Sequence, residues 1–304
     1  MSPTIIDLVQ HFKVARVQMS NTRRLPTFFV DLAVRILGRR QVVRISRFAL
    51  NRARLDVQNT IQSNGESQLQ LDVLQGVLSG KQITIFDVGA NVGQWSQQLV
   101  ASADSLGVTK RMQVHAFEPS TFSSDRLRKA LEGKPVLINK MALSDTPGEA
   151  KLHIIHEGAG SNSLHKSSHL VPSEIEESVL ISTLDEYCKA MGIESIDLLK
   201  IDTEGHDHLV MKGATALLGQ RKIAAVQFEY NHRWIAARHY LRDAFDLLSP
   251  LGYQLGKITP VGIEAYPDGW DPDLETFVEG NYLAWDPAQL VGIKIVPWWK
   301  TSKR

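Results

Sequence analysis

Four acidic residues of this chain share one setting. Each closes a short apolar run: Ile83–Phe86 ends in Asp87, Val114–Phe117 in Glu118, Ile196–Ile201 in Asp202, and Ile223–Phe228 in Glu229. Such runs read as buried strands. In an open α/β sheet the carboxyl ends of the strands form the ligand crevice, so acids gathered there are candidates for chemistry. Carboxylates in a crevice can accept hydrogen bonds from hydroxyl groups, balance a cation, or take a proton from a substrate.

The first of these runs continues as Asp87-Val88-Gly89-Ala90-Asn91-Val92-Gly93-Gln94-Trp95 and leads into a helical pattern. Gly89 and Gly93 allow a sharp turn and a close approach of backbone to ligand. A dinucleotide site wants three glycines, with the pyrophosphate on the helix N-terminus. Here Asn91 stands at the central position, the last glycine has no counterpart, and the acid Asp87 stands two residues before the first. That pattern disfavours a nicotinamide cofactor. It tolerates a cofactor with an ammonium group and no phosphate, and S-adenosylmethionine is one. Glu118, 29 positions after Gly89, can accept hydrogen bonds from both ribose hydroxyls, with Pro119 ending its strand.

The set FDVGANVGQWS, AFEPS, NKMALSD, STLDEY, LLKIDTEGHDHLVMKGA and VQFEYN resembles the FkbM-type methyltransferases from about Gln82 to about Trp285. The resemblance implies a class I, S-adenosylmethionine-dependent enzyme, in a family associated mostly with O-methylation of sugars and natural products. It implies that Asp87, Gly89, Asn91, Gly93 and Gln94 shape the cofactor turn, and that Glu118 and Pro119 meet the ribose. Ala142 and Leu143, followed by Ser144 and Asp145, should then flank the adenine, with Asp202 near the methionine end. The expected acceptor is a hydroxylated small molecule.

An acceptor hydroxyl needs a positioned base, because an alcohol is a poor nucleophile at neutral pH. Crevice candidates are Asp202, Glu204, His206, Glu229 and His232, with His206, Glu229 and Asp202 taken as the catalytic set. A divalent ion held by Asp202, Glu229 and Asn231, as in catechol-type enzymes, is an alternative. No metal site is assigned, because the histidines make no zinc pattern. N-methylation stays open as a second chemistry, and a non-catalytic scaffold with a methyltransferase fold as a second class of function. Gly158–Ser163 reads as a loop able to close over the site, and Trp270 as either a sugar platform or a core anchor.

These residues need an alternating frame. Strands are expected at 83–88, 113–117, 136–143, 197–201 and 224–228, with helices at 94–102, 123–131, 207–218 and 240–248 between and after them. An extended piece at 151–156 and late strands at 253–258 and 281–286 complete the pattern. This is an α/β fold with a Rossmann-like, mostly parallel sheet, an antiparallel tail and an N-terminal helical arm. The expected division is an arm over 1–80, its last helix at 69–78, and a catalytic domain over 81–304.

Composition is that of a globular protein: 43% apolar and 22% charged. A lone cysteine, Cys188, excludes an internal disulfide and a cysteine zinc site; its helical context suggests a packed thiol. No run is apolar enough to span a bilayer, and Asp7 and His11 argue against a secretory signal, so cytoplasm is expected. The net charge of +1 hides an asymmetry: residues 1–81 hold 12 basic and 5 acidic side chains, the rest 22 and 28. Phe28–Leu50 mixes arginine with Leu, Ile, Val and Phe at helical spacing. It reads first as a cap or dimerisation arm, second as a basic helix on an anionic membrane. Nucleic acid is not expected, because aromatics are not interleaved with the arginines.

Overall fold

The computed structural model describes residues 21–57, 60–76, 81–154, 164 and 175–301. The chain divides between Leu55 and Asp56 into a small helical unit and a large α/β unit. That division lies ahead of the expected boundary near Lys81. The reason is the helix Glu66–Gly76, whose Leu69, Val73 and Leu74 are buried in one cluster with Ile83, Ile85 and Leu99. Residues 77–80, the expected end of that helix, lie outside the described residues. In the small unit, the helical stretch splits at Gly38 (φ 80°) into Asn21–Leu37 and Arg39–Ala53.

Among the described residues the large unit has twelve strands: β1 Ile83–Val88, β2 Met112–Phe117, β3 Val136–Asn139, β4 Ala142–Leu143, β5 Gly148–Ile154, β6 Ile175–Ser182, β7 Leu198–Ile201, β8 Ala225–Tyr230, β9 Gln254–Thr259, β10 Gly262–Ala265, β11 Gly280–Trp285 and β12 Ile295–Pro297. Nine of them form one sheet in the order β12-β10-β9-β11-β8-β7-β1-β2-β3. Its half from β8 to β3 is parallel, and β11, β9 and β10 add antiparallel neighbours. The expected mostly parallel sheet with an antiparallel tail is therefore what forms. Strands β10 and β12, and the separate small sheet β4-β6-β5, go beyond that expectation.

Alternate side chains of the central strands serve opposite faces, as a pleated strand requires. Phe86, Val88, Leu199, Ile201, Val226 and Phe228 pack toward the helices Leu184–Met191, Asp207–Lys212 and Leu241–Leu248. Ile83, Ile85, Leu198 and Ala225 pack toward Glu66–Gly76 and Gln94–Ser105. Cys188 is buried, and burial pushes its thiol up to about 12, so it is an inert packed group.

Two expected elements are divided. The run 136–143 divides because β3 pairs with β2 whereas β4 pairs with β6 in the small sheet. The helix 207–218 divides into Asp207–Lys212 and Thr215–Gly219 around Gly213. A side chain at Gly213 would collide with the Ser144 carbonyl oxygen. Gly213→Ala is therefore expected to cost about 1–3 kcal/mol by overpacking. A melting temperature unchanged from wild type would refute that close approach.

Candidate active site

The sheet order reverses at β1: β2 and β3 lie to one side, β7 and β8 to the other. Ligands bind at such a switch point, outside the carboxyl ends of the strands. A pocket opens there, lined by Gly89, Asn91, Glu118, Pro119, Asp202, Glu204 and His206 among others. The turn after β1 makes the floor possible. Gly89 (φ 81°) passes so close to β7 that a side chain would overlap the Asp202 carbonyl oxygen. Asn91 sits at φ 48°, and Gly93 (φ 89°) caps the helix Gln94–Ser105.

Glu118 is 6% exposed at the end of β2. Its carboxylate accepts the backbone N–H of Asn91 at 2.9 Å on one oxygen and that of Ser120 at 2.9 Å on the other. Burial raises its pKa to about 7 against those two hydrogen bonds. Phe117, Pro119, Met141, Ala142 and Leu143 make an apolar slot beside it. Leu152 of β5 and Leu164 complete the lining, and nothing in their sequence setting marks them. His206 is buried and meets the Ser144 hydroxyl at 2.9 Å; Ser144 in turn bonds Asp145. This puts His206 on the Leu143–Ser144 side of the pocket.

Asp87 takes a different place from the other strand-end acids. It is fully buried beneath the turn, accepting Ser96 Oγ at 2.7 Å and Lys200 Nζ at 3.0 Å, and does not line the pocket. It anchors the turn to β7. Lys200, which no sequence motif singles out, also lies 3.5 Å from Asp202 and 5.8 Å from the Trp95 ring centroid. Burial works against its charge, but Asp87 and Asp202 overcome this and hold its pKa above the usual lysine value. Glu66, also unmarked by sequence, joins through Asn64 at 2.6 Å and through Gln227. Gln94, Trp95, Glu66 and Lys200 line a second hollow that shares Gly89, Asn91 and Asp202 with the pocket.

Beyond β7 and β8 lies a dense acidic group. Glu204 occupies the left-handed region at φ 58°, and Gly205 follows at φ 95°. A non-glycine residue there stores strain, a frequent feature of functional turns. Gly205 lets the turn touch the Arg233 backbone, and the Arg233 guanidinium pairs with the Glu204 carboxylate. Burial, then Asp202, raise the Glu204 pKa to about 8 against Arg233. Asp207, fully buried, is raised to about 7 by burial and Asp202; it accepts Thr203 Oγ1 at 3.0 Å and the Glu229 N–H at 3.3 Å. Glu229 is 5% exposed and held at 2.6 Å by Asn231 Nδ2; burial, Asp202 and Glu204 push its pKa well up.

Among the described residues, no group of three or more His, Cys, Asp or Glu is arranged to hold a metal ion. Trp270 packs against the core with Nε1 on Glu275 at 2.8 Å, so it is an anchor. The loop Gly158–Ser163 lies outside the described residues.

The fold is an open α/β sheet with its pocket at the switch point of the strand order. The FkbM methyltransferase domain matches residues 87–255, over half of the chain, and the chain belongs to that family of S-adenosylmethionine-dependent methyltransferases. No curated protein matches it. Solved structures similar to it include the precorrin-6y C5,15-methyltransferase of Geobacter metallireducens GS-15, 10% identical over 72% of this chain and 88% of that one, with TM-score 0.36. A SAM-dependent methyltransferase of Agrobacterium tumefaciens is 10% identical over 73% and 61%, with TM-score 0.39. An rRNA methylase of Streptococcus thermophilus is 11% identical over 72% and 94%, with TM-score 0.36. Likenesses of this size say nothing of substrate.

Proposed function

We propose that the protein methylates a hydroxyl group of a small molecule, a sugar or glycosylated natural product, with Glu204 as the base. What supports this reading is the placement of Glu204, a carboxylate that lines the pocket, pairs with Arg233 and is raised by burial to about 8. Proton transfer is most efficient when the base's pKa lies near the working pH. Glu229 is engaged by Asn231 outside the pocket lining, and His206, which lines the same pocket, is engaged by the Ser144 hydroxyl.

The residues present fit S-adenosylmethionine. Glu118 keeps lone pairs for two ribose hydroxyls, and the Asn91 Oδ1 atom is buried with no hydrogen-bond partner. The slot of Phe117, Pro119, Met141, Ala142 and Leu143 suits an adenine ring. When bound, the cofactor supplies an electrophilic methyl group. Glu118 and Asn91 fix its orientation, which is much of the task in an in-line transfer. Glu204, which lines the pocket, accepts the acceptor's hydroxyl proton, and Arg233 steadies its ionised form.

The test has two stages. Calorimetry should show S-adenosylhomocysteine binding to the wild-type protein, and roughly 10- to 100-fold weaker binding to Glu118→Ala, the loss expected for hydrogen bonds to a charged group. NAD should not bind. Methyl transfer is then measured on hydroxylated sugars and on amines, with and without magnesium. Transfer to amines alone would overturn the hydroxyl reading. Transfer only with magnesium would move the role of Asp202, Glu229 and Asn231 to metal binding.

A further inference from the structure

The small helical unit carries a dense set of exposed apolar side chains. Phe28, Phe29, Ile36, Ile45, Phe48 and Leu50 are each more than half exposed, and the helix Arg39–Ala53 buries none of its side chains. Single exposed apolar residues are ordinary, but a contiguous set on two adjacent helices marks a surface that something covers.

Charge and pattern decide what covers it. Residues 21–55 hold nine arginines, one acid (Asp31) and no lysine. From Phe28 to Leu37 only Asp31 and Arg35 are polar. At 100° per residue these two fall about 40° apart, so apolar side chains surround most of the segment Phe28–Leu37 of the first helix. In the second helix Arg40, Arg44, Arg47 and Asn51 gather within a sector of about 60°, with Val42, Ile45 and Ala49 across from them and Arg39 and Arg52 at the flanks. A second copy of the same unit would meet like charge with like charge, which opposes a symmetric pairing. A protein groove would have to envelop the first helix. A phospholipid surface accommodates both features: apolar side chains enter the acyl boundary, and guanidinium groups pair with phosphates in a bidentate fork.

We propose that the arm formed by Asn21–Leu37 and Arg39–Ala53 docks the protein on an anionic phospholipid membrane. It lies on the surface and does not cross it, since among the described residues no helix is long and apolar enough to span a bilayer. Docking holds the methyltransferase unit against a membrane, where acceptors carried on lipids are concentrated.

The test uses the full chain and vesicles. Co-sedimentation is measured with phosphatidylcholine alone and with phosphatidylcholine containing phosphatidylglycerol, at low and high salt. Binding at least about tenfold stronger to the anionic vesicles, and weakened by salt, is expected. The Phe28→Ser/Phe48→Ser pair and the Arg40→Gln/Arg44→Gln/Arg47→Gln triple should each abolish it. All six tryptophans lie beyond Leu55, so an unchanged tryptophan-fluorescence melt shows that the large unit remains folded in these variants. Equal binding to neutral and anionic vesicles would overturn the proposal. So would a dimer in solution that the Phe28→Ser/Phe48→Ser pair dissociates, if vesicle binding is absent. Neither outcome depends on whether the acceptor is a sugar or an amine.

Discussion

Glutamine at position 204 is expected to lower the methyl-transfer rate by roughly 100- to 10,000-fold, the range for loss of a general base. Affinity for S-adenosylhomocysteine should stay within about threefold, because no part of the adenosine slot changes. Glu204→Gln is a clean probe. Both residues meet the same backbone cost at φ 58°, and their shapes match, so the variant isolates charge and proton affinity. The partner left behind, Arg233, is 32% exposed and can be solvated. The pH profile adds a second readout. A carboxylate raised to about 8 by burial and by Asp202, against Arg233, accepts a proton only in its ionised form. The wild-type rate should therefore climb with pH and level off above about 8, and the slope should vanish in the variant. Stability moves the other way. A carboxyl whose folded pKa lies above its unfolded value contributes stability at low pH that is lost as pH rises through the folded pKa. Wild type should thus lose stability between about pH 4.5 and 8 relative to Glu204→Gln. A variant that keeps more than half of the rate would sink the assignment. If Glu229→Gln or His206→Asn removes the pH slope instead, the base is that residue.

What the sequence disclosed about this site is what is local in the chain. A strand, an acid, two glycines and a helix within thirteen residues set the β1 turn. The apolar runs ending in acids, with helical patterns between them, placed β2, β7 and β8 in the right order. The pocket acids Glu118 and Asp202 stood at their strand ends, where topology alone carries them to the switch point. The features that stayed hidden are partnerships across distance. Lys200 reads as one polar residue in the strand LLKI, yet it meets Asp87 across 113 positions. Glu66 reaches Gln227 across 161. Asp87 looked like its three counterparts, but its neighbours Ser96 and Lys200 turn it beneath the sheet end. Strand β6, IEESVLIS, is half polar because it belongs to a small sheet with a mostly exposed face, so its pattern was weak. Gly213 gave no sign that it was there for Ser144, since the contact spans two elements that no periodicity connects.

The pair hidden in LLKI carries the largest stability prediction. Lys200→Met is expected to cost about 3–5 kcal/mol, because it leaves the fully buried Asp87 with a hydroxyl, Ser96, and no cation. The methionine fills much of the same space, so the loss reports the uncompensated charge more than a cavity. In a chain of this size the melting temperature of the tryptophan signal should fall by roughly 10 °C. The damage should reach the pocket as well. Lys200 joins β7 to the acid at the end of β1, and the Gly89–Gly93 turn leaves from that acid, so S-adenosylhomocysteine affinity should drop although Lys200 is outside the slot of Leu143 and Glu118. The double variant Asp87→Asn/Lys200→Met decides the cause. An amide at position 87 can still accept from Ser96 and carries no charge to strand, so the double variant should regain most of the lost stability. Simple additivity of the two single losses would mean that the lysine acts through packing against Trp95, and that the charge pair is dispensable.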